Sequence, residues 1–143
     1  MHRDDVIQSI VFSAHALARI AAHETGNDTP AAQWRALSVL DTEGALRVGD
    51  LAHRSRTTQP GMTRMVGLLE KDGLAERSAD PADSRATLVS ITEHGRAALE
   101  SWRRELQTVL EPRFADLDAD DWTHLSRAAE ILRTRTAPER TPR

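Results

Sequence analysis

The first 24 residues carry apolar side chains at alternating intervals of three and four positions: Ile7, Ile10, Ala14, Leu17 and Ala21. This spacing predicts a helix over residues 4–24 with one narrow apolar face, and Gly26 follows as a stop signal. A second helix is predicted after it, with Thr29 as its cap, Pro30 at its first position and Gly44 at its end. Its buried stripe consists of Trp34, Leu37 and Leu40.

The centre of the chain has the layout of a helix–turn–helix. Residues 49–55 predict a short helix, Arg56 and Thr57 form the turn, and Thr58 can cap a longer helix that runs to about Asp72. One face of this longer helix is apolar and is built from Met62, Met65, Val66 and Leu69. Two helices joined by so short a turn, the second of them amphipathic, are typical of DNA-binding domains.

A β-hairpin is predicted directly after this unit. Residues 74–79 and 87–91 read as two antiparallel strands, and the turn signal Asp80-Pro81 leads into a charged tip that holds Asp83 and Arg85. A lone arginine on a narrow two-stranded loop suits the minor groove of DNA, where negative potential attracts the guanidinium group. A helix–turn–helix followed by such a hairpin predicts a winged helix.

Two further helices follow, one from Thr92 until Pro112 interrupts it, and one from Asp118, where Asp121 completes a capping-box pattern. Their apolar faces are narrow, and each needs a surface to pack on. A homodimer in which the first and last helices pack across a two-fold axis supplies that surface; the alternative is packing on the domain's own core. The predicted interface residues are Ile7, Ile10, Leu17, Trp102, Leu106, Val109, Trp122, Leu125 and Leu132.

The 143 residues are 39% hydrophobic and 29% charged, which suits a single soluble, helix-rich domain. No apolar run is long enough to span a bilayer, and Asp4 and Asp5 disrupt a signal peptide, so we expect a cytoplasmic protein with no membrane partner. The absence of cysteine excludes disulfides, thiolate zinc sites and thiol redox sensing on this chain.

The net charge of −3 is unusual for a DNA-binding protein, but the charge is unevenly distributed. Residues 47–96 hold eight basic and seven acidic side chains, whereas the rest of the chain holds eleven and fifteen. Arg54, Arg56 and Arg64 lie in a stretch that contains no acid. Positive charge is thus concentrated in the helix–turn–helix; the alternative is an ordinary scatter of arginines on a solvated face.

The outward face of the longer central helix carries groups that can read bases. Arg64 can bond guanine bidentately and Gln59 can bond adenine in the major groove, while Gly61 permits close approach. For Arg64 alone, the alternative is a surface ion pair with an acid. With the residues expected on phosphates included, the predicted DNA-contacting set is Arg54, Arg56, Thr58, Gln59, Gly61, Thr63, Arg64, Ser84 and Arg85.

The wing also contains a residue expected to act as a support. Asp83 lies two positions from Arg85, and a carboxylate there is better suited to orient an arginine than to meet anionic DNA. The arginine that it orients is either Arg85 or the strand residue Arg77. The alternative is a solvated hairpin tip that carries an Asp/Arg pair without function.

These residues resemble the MarR family of winged-helix transcriptional regulators. The matching stretches are Leu51-Ala52, residues 62–66, residues 69–77 and residues 80–95 with their wing signature. The resemblance implies an obligate dimer that binds a palindromic operator and usually represses nearby genes, with a small-molecule site between the dimer helices and the DNA-binding lobe. The chain departs from the family pattern at Pro60, Gly61, Leu68 and Ile91, and its lack of cysteine excludes the peroxide-sensing branch.

His15, Arg19 and Trp34 are candidates for that small-molecule site. The first two helices should meet near the junction of the lobes, and an arginine and a histidine beside an aromatic ring suit an aromatic carboxylate. The alternative is core packing of Trp34 with solvated His15 and Arg19. The six histidines show no metal-ligand spacing, and no catalytic or phosphate-loop motif is present, so we expect no metal, cofactor or enzymatic activity.

The sequence therefore predicts a mainly α protein with a small β-wing, forming one domain over residues 1–143. Residues 30–98 would form the winged helix–turn–helix, residues 4–25 and 99–135 a helical dimerisation region, and residues 136–143 a disordered tail. The predicted function is a homodimeric repressor on double-stranded DNA, released by a small aromatic or anionic effector. The alternative, which the acidic charge keeps open, is a winged helix that binds another protein.

Overall fold

The computed structural model of the protein describes residues 1–26 and 29–137. In chain order they form α1 (Arg3–Thr25), α2 (Ala31–Glu43), β1 (Leu46–Arg47), α3 (Val48–Arg54), α4 (Gln59–Lys71), β2 (Ala75–Asp80), β3 (Asp83–Ile91), α5 (Glu93–Leu110), a 3-10 turn (Glu111–Phe114) and α6 (Ala119–Thr136). The tail was predicted from residue 136, but Thr136 still belongs to α6, and from position 138 onward the tail lies outside the described residues. The described helices lack the combination of length and apolar character needed to cross a membrane.

The chain separates into two compact units, residues 1–110 and residues 111–143. The hydrophobic core lies in the first unit and draws on α2, α3, α4, the strands and α5. Three of the residues predicted on the apolar face of α4, Met62, Val66 and Leu69, are completely buried there. Each such side chain stabilises the fold by about 1.5–3 kcal/mol, so α4 is anchored with its opposite face outward.

Local signals set the helix ends much as the sequence predicts. Gly26 and Gly44 lie at the ends of α1 and α2, and both have a positive φ that suits glycine. Asp118 and Asp121 form the predicted capping box at the start of α6. The helix α2 begins one residue later than predicted, with Pro30 in the capping position.

The wing is a tighter hairpin than predicted. β2 ends at Asp80 and β3 begins at Asp83, these two residues are partners across the ladder, and the turn between them consists of Pro81 and Ala82. Arg85 belongs to the first residues of β3, where the pairing with β2 is irregular: Ala79 is the partner of Thr87, so residues 84–86 form a bulge beside the turn. The strands are longer than predicted because their end residues have polar side chains, which do not indicate a strand in the sequence. The hydrogen bonds between strands are made by the backbone and do not depend on the side chain.

β1 adds a third strand to the wing. The strand order is β1-β3-β2 with antiparallel pairing, and Arg47 of β1 is the partner of Leu88 on β3. The sequence does not reveal this pairing, since pairing between distant segments leaves no local signal. The pairing brings the segment that precedes α3 against the wing.

The start of α5 is held against the end of α4. Thr92 Oγ1 accepts a hydrogen bond from the backbone N–H of Gly95 at 2.9 Å and donates one to the carbonyl of Gly73 at 2.5 Å. Gly95 is buried, and a side chain at this position would collide with the carbonyl oxygen of Leu74. These contacts determine where α5 begins relative to the wing.

Trp102 was predicted in the dimer interface. The structure places its ring against Trp34 of the same chain, at the edge of the core, so packing inside one protomer already accounts for its apolar character. The other predicted interface residues divide into two groups. Ile7, Trp122, Leu125 and Leu132 are exposed, and Ile10, Leu17, Leu106 and Val109 are half-buried.

Candidate nucleic-acid interface

Thr58 caps α4 as predicted and shapes the start of this helix. Its Oγ1 accepts a hydrogen bond from the backbone N–H of Gly61 at 3.2 Å, which satisfies one of the free donors at the helix start. A Cβ at Gly61 would lie 3.0 Å from that oxygen and 3.3 Å from Cγ2 of Thr57. The missing side chain of Gly61 therefore makes room for the cap, a role within the protein in addition to the predicted approach to DNA.

The outward face of α4 is polar or small except at Leu68, whose apolar side chain is exposed. Its exposed members include Gln59, Pro60, Thr63, Arg64 and Gly67. The Thr63 hydroxyl donates to the carbonyl of Gln59 at 3.0 Å. A helix with its apolar side anchored in the core and such an outward side has the form required to enter a major groove.

Two of the arginines singled out from the sequence are paired with acids. Arg54 bonds Glu43 at the end of α2, and its side chain is 17% exposed. Arg77 lies 3.5 Å from the carboxylate of Glu70 on α4, so it supports the wing from α4 and not through Asp83. Both ion pairs join elements of the lobe. The guanidinium group of Arg54 is therefore less available to DNA than the sequence alone predicts.

Arg56, Arg64 and Arg85 form a second, unpaired group. All three side chains are exposed, and within residues 1–26 and 29–137 none of them has an ion-pair partner. They lie in the turn before α4, on the outward face of α4 and on β3. Contact with a phosphate backbone uses cations that the protein itself does not neutralise.

Arg56 has an unusual backbone conformation for a residue with a side chain. Its φ is 54°, the left-handed region, and it is alone in this among the described non-glycine residues. The turn is closed by its own N–H, which donates to the carbonyl of His53 at 3.1 Å. This conformation costs of order 1–3 kcal/mol for a non-glycine residue. Glycine would adopt this conformation without that cost. What arginine adds at this position is its exposed guanidinium group.

Two carboxylates bind the backbone of the wing tip. Asp80 Oδ1 accepts the backbone N–H of Ala82 at 2.9 Å. Asp83 Oδ1 accepts the backbone N–H of Arg85 at 3.0 Å. Their Oδ2 atoms face Arg47 of β1, whose Nη2 lies 2.8 Å from Asp80 Oδ2 and 3.9 Å from Asp83 Oδ2. Asp83 thus bonds the backbone of Arg85, and among the described residues its ion-pair partner is Arg47 rather than Arg85 or Arg77.

Arg47 and Asp80 were not predicted as site residues. The Asp80-Pro81 pair was interpreted as a turn signal alone, and Arg47 lies 33 residues before its partner, so no local spacing links them. The hydrogen bond from Ala82 and then that from Arg47 lower the pKa of Asp80, and pairing with Asp80 raises the pKa of Arg47. Because the carboxyl pKa is depressed in the folded state, the pair's contribution is complete above the ordinary carboxyl pKa. It is lost as pH falls through the lowered value.

An open cleft of about 400 Å³ joins the start of α4 to the wing. It is lined by Arg47, Val48, Gly49, Asp50, Gln59, Ala86 and Thr87. Gln59 lies over Gly49, where a Cβ would be 3.4 Å from Gln59 Oε1. The predicted base-reading residue Gln59 and the strand residue that follows Arg85 therefore border one surface, and Ser84 is exposed on the same strand.

The three residues predicted for a small-molecule site have different environments. Trp34 is 5% exposed and stacks on Trp102, whereas His15 and Arg19 are exposed on α1. A cavity of about 360 Å³ between α1 and α5 has other lining residues: Glu24, Thr25, Ser101, Arg104, Glu105, Thr108 and Val109. The pocket of His15, Arg19 and Trp34 stays a prediction.

Comparison with known proteins agrees with this architecture. A sequence profile of the MarR family matches residues 27–86. An uncharacterised HTH-type transcriptional regulator of Mycobacterium bovis is 37% identical over 100 residues, which cover 70% of each chain. The HTH-type transcriptional repressor IacR of Pseudomonas putida is 25% identical over 129 residues, covering 85% of this chain and 77% of that one.

The fold has a counterpart among solved structures. The crystal structure of Rv1404 from Mycobacterium tuberculosis matches 99% of each chain with a TM-score of 0.80 at 22% identity. That likeness agrees with the helical architecture and the three-stranded wing described above. The matched profile and the M. bovis relative show that this chain belongs to the MarR family of DNA-binding, winged helix–turn–helix transcriptional regulators.

Proposed function

We propose that the protein acts as a homodimer on a palindromic DNA operator, with α4 of each protomer in a major groove and each wing in the flanking minor groove. The observation that carries this proposal is the set of exposed, unpaired arginines: Arg56, Arg64 and Arg85. They occupy three successive parts of the winged helix, namely the turn, the recognition helix and the wing. In a two-fold arrangement the two α4 helices would lie about 34 Å apart, one turn of DNA.

The residues of the lobe divide by role. Arg56 and Thr58 contact phosphates at the start of α4, where the helix dipole also favours an anion; these contacts position the lobe without reading sequence. Gln59 and Arg64 face base edges in the major groove. Arg85 enters the minor groove, where a narrow A·T-rich segment provides the most negative potential.

Apolar side chains exposed on both terminal helices support the homodimer. On α1, Ile7 and Phe12 are 64% and 70% exposed, and on α6 Trp122 is 48% exposed. Large apolar groups exposed in this way favour burial in an interface, and a second copy of the chain offers the same groups by symmetry. On this basis we propose that residues 4–25 and 99–135 contribute to dimerisation, apart from Leu99 and Trp102, which pack with the core of the lobe.

Repression is the mode of action that we propose, since IacR is named a repressor. Release by a small aromatic or anionic effector rests on the predicted pocket of His15, Arg19 and Trp34. A ligand that binds one dimer geometry better than another shifts the population between them. The spacing of the two α4 helices, and with it operator affinity, would change accordingly.

Recognition of another protein is the second candidate function. The net charge of −3 favours it, because the long-range field of an acidic protein repels DNA. Leu68 favours it as well, since this apolar side chain is 51% exposed on α4 and apolar groups at the centre of an interface drive protein association.

Selection of binding sites from a pool of random DNA duplexes separates the two candidates. We expect enrichment of an inverted repeat with half-sites about 34 Å apart. Affinity for the selected duplex, measured by fluorescence anisotropy, should fall steeply with salt, with a logarithmic slope of about −0.9 for each phosphate contact. A pool in which no sequence is enriched, with weak and salt-insensitive binding, would contradict the proposal and favour a protein partner.

A further inference from the structure

Arg47 lies outside the wing hairpin but reaches both ends of its turn. It belongs to β1, and its Nε and Nη2 atoms donate to Asp80 Oδ2 at 3.0 and 2.8 Å. The same Nη2 is 3.9 Å from Asp83 Oδ2. Asp80 is the last residue of β2 and Asp83 is the first of β3. One cation is therefore placed to hold the two strand ends together.

We propose that Arg47 is a positioning residue for Arg85 and that it acts through Asp80 and Asp83; the inference rests on the proposed entry of Arg85 into the minor groove. Each carboxylate has one oxygen directed at Arg47 and the other on a hairpin N–H, that of Ala82 or that of Arg85 itself. By binding the Oδ2 atoms, Arg47 fixes the orientation of the two carboxylate planes. The Oδ1 atoms then stay in position to accept the N–H groups of Ala82 and Arg85. The backbone of Arg85 is thereby ordered before DNA arrives.

Burial of apolar side chains does not hold the wing tip. Along β2, the side chains from Glu76 to Ala79 are exposed, and along β3 the fully buried positions are Val89 and Ile91 at the far end. A two-stranded hairpin without such burial is marginally stable in water. Asp80, by contrast, is shielded, with 11% of its side chain exposed. The hydrogen bonds of Arg47 thus supply a constraint at the end of the wing that lacks a core.

Because both aspartates are negatively charged, the direction in which a neutral substitution changes DNA affinity tests the proposal. Both lie on the element that is proposed to approach phosphates, where a negative charge repels DNA. If charge alone mattered, Asp80→Asn would tighten binding. If Asp80 transmits the hold of Arg47, the same substitution weakens the ion pair and lowers affinity for DNA.

The duplex selected by the unmodified protein serves as the probe for this test. Asp80→Asn should weaken binding several-fold, up to the roughly 5- to 150-fold loss expected for Arg85→Ala. Glu76→Gln is the matched control, because Glu76 is an exposed acid on the same strand with no ion pair among the described residues. It should bind equally or slightly more tightly.

A double-variant comparison distinguishes positioning from general stability. In an Arg85→Ala background, Asp80→Asn should cause no further loss of affinity, because the residue that it positions is gone. Equal or tighter binding by Asp80→Asn alone would overturn the proposal. An equal loss in both backgrounds would also overturn it, since Asp80 would then act independently of Arg85.

Backbone NMR relaxation of the free protein tests the inference without DNA. Amide order parameters across residues 82–85 should be near the rigid value of about 0.85 and should fall toward about 0.6 in Arg47→Ala. Arg47→Lys should give an intermediate value, since an ammonium keeps the charge but not the paired donors. Unchanged order in Arg47→Ala overturns the inference even if the protein binds DNA. If the order parameters fall in Arg47→Ala but the selection experiment enriches no duplex, the role of Arg47 in ordering the wing would be confirmed and the proposed function refuted.

Discussion

The indole rings of Trp34 and Trp102 stack with their centroids 5.2 Å apart and their planes 11° from parallel. Trp34 belongs to α2 and Trp102 to α5, so the pair joins the helix before the helix–turn–helix to the helix that follows the wing. Asp41 of α2 adds ion pairs to α5, at 3.4 Å from Arg96 and 3.7 Å from Arg103. The first part of α5 is therefore packed as part of the DNA-binding lobe.

Removal of either ring should destabilise the lobe. Trp34→Ala should lower the free energy of unfolding by about 3–5 kcal/mol, and Trp102→Ala, which is half-buried, by about 2–4 kcal/mol. The double variant should lose about 0.5–1.5 kcal/mol less than the sum, because the stacking energy is lost once. Urea unfolding followed by circular dichroism measures all three values. Strictly additive losses would show that the two rings do not interact energetically.

Substitutions on the terminal helices should change the oligomeric state. Ile7→Asp on α1 and Leu125→Asp on α6 place a charge in the proposed interface, and both variants should sediment as monomers. Thr123→Asp is the control, because Thr123 is exposed about 160° around α6 from Leu125 and should leave the dimer intact. Sedimentation velocity gives the outcome. Dimeric Ile7→Asp and Leu125→Asp would contradict the proposed interface.

Two neighbouring arginines should respond oppositely in stability and in DNA binding. Arg56→Gly removes an unpaired cation and relieves a left-handed backbone, so the salt slope should shrink by about 1 per protomer with stability equal or higher. Arg54→Gln breaks the ion pair with Glu43, which should cost up to about 1 kcal/mol of stability and leave the slope unchanged. Anisotropy titrations across a salt series, together with thermal melts, measure both effects. A smaller salt slope in Arg54→Gln would show that Arg54 does contact a phosphate.

Two glycines in helices should respond with opposite signs to replacement by alanine. Among the described residues, a methyl group at Gly67 would meet no atom within 4 Å, so Gly67→Ala should stabilise the protein by about 0.5–1 kcal/mol through helix propensity. A methyl group at Gly95 would collide with the carbonyl oxygen of Leu74. Gly95→Ala should therefore cost about 1–3 kcal/mol. Thermal denaturation compares the two directly, and a stabilising Gly95→Ala would show that the start of α5 moves freely.

The predictable parts of the site are those with short-range causes. The cap of α4 joins Thr58 to an N–H three residues later, and the buried face of α4 repeats within one helical turn, so both are visible in the sequence. The hold on the wing joins Arg47 to Asp80 across 33 residues. The bulge at residues 84–86 that contains Arg85 was not predicted, because strand register depends on backbone partners that a single strand does not reveal.

The sequence by itself determined the class of this protein. Helix periodicity, capping residues and the order of helix–turn–helix and hairpin are properties of neighbouring residues, and they lead to the winged helix and to Arg64 and Arg85 as its exposed cations. The tertiary structure decided which arginines are free to act. Arg54 and Arg56 look alike in the sequence, but Glu43 of another helix neutralises the first and leaves the second exposed. The physical reason is that ion pairing depends on which distant segments meet, and that is decided by packing of the core.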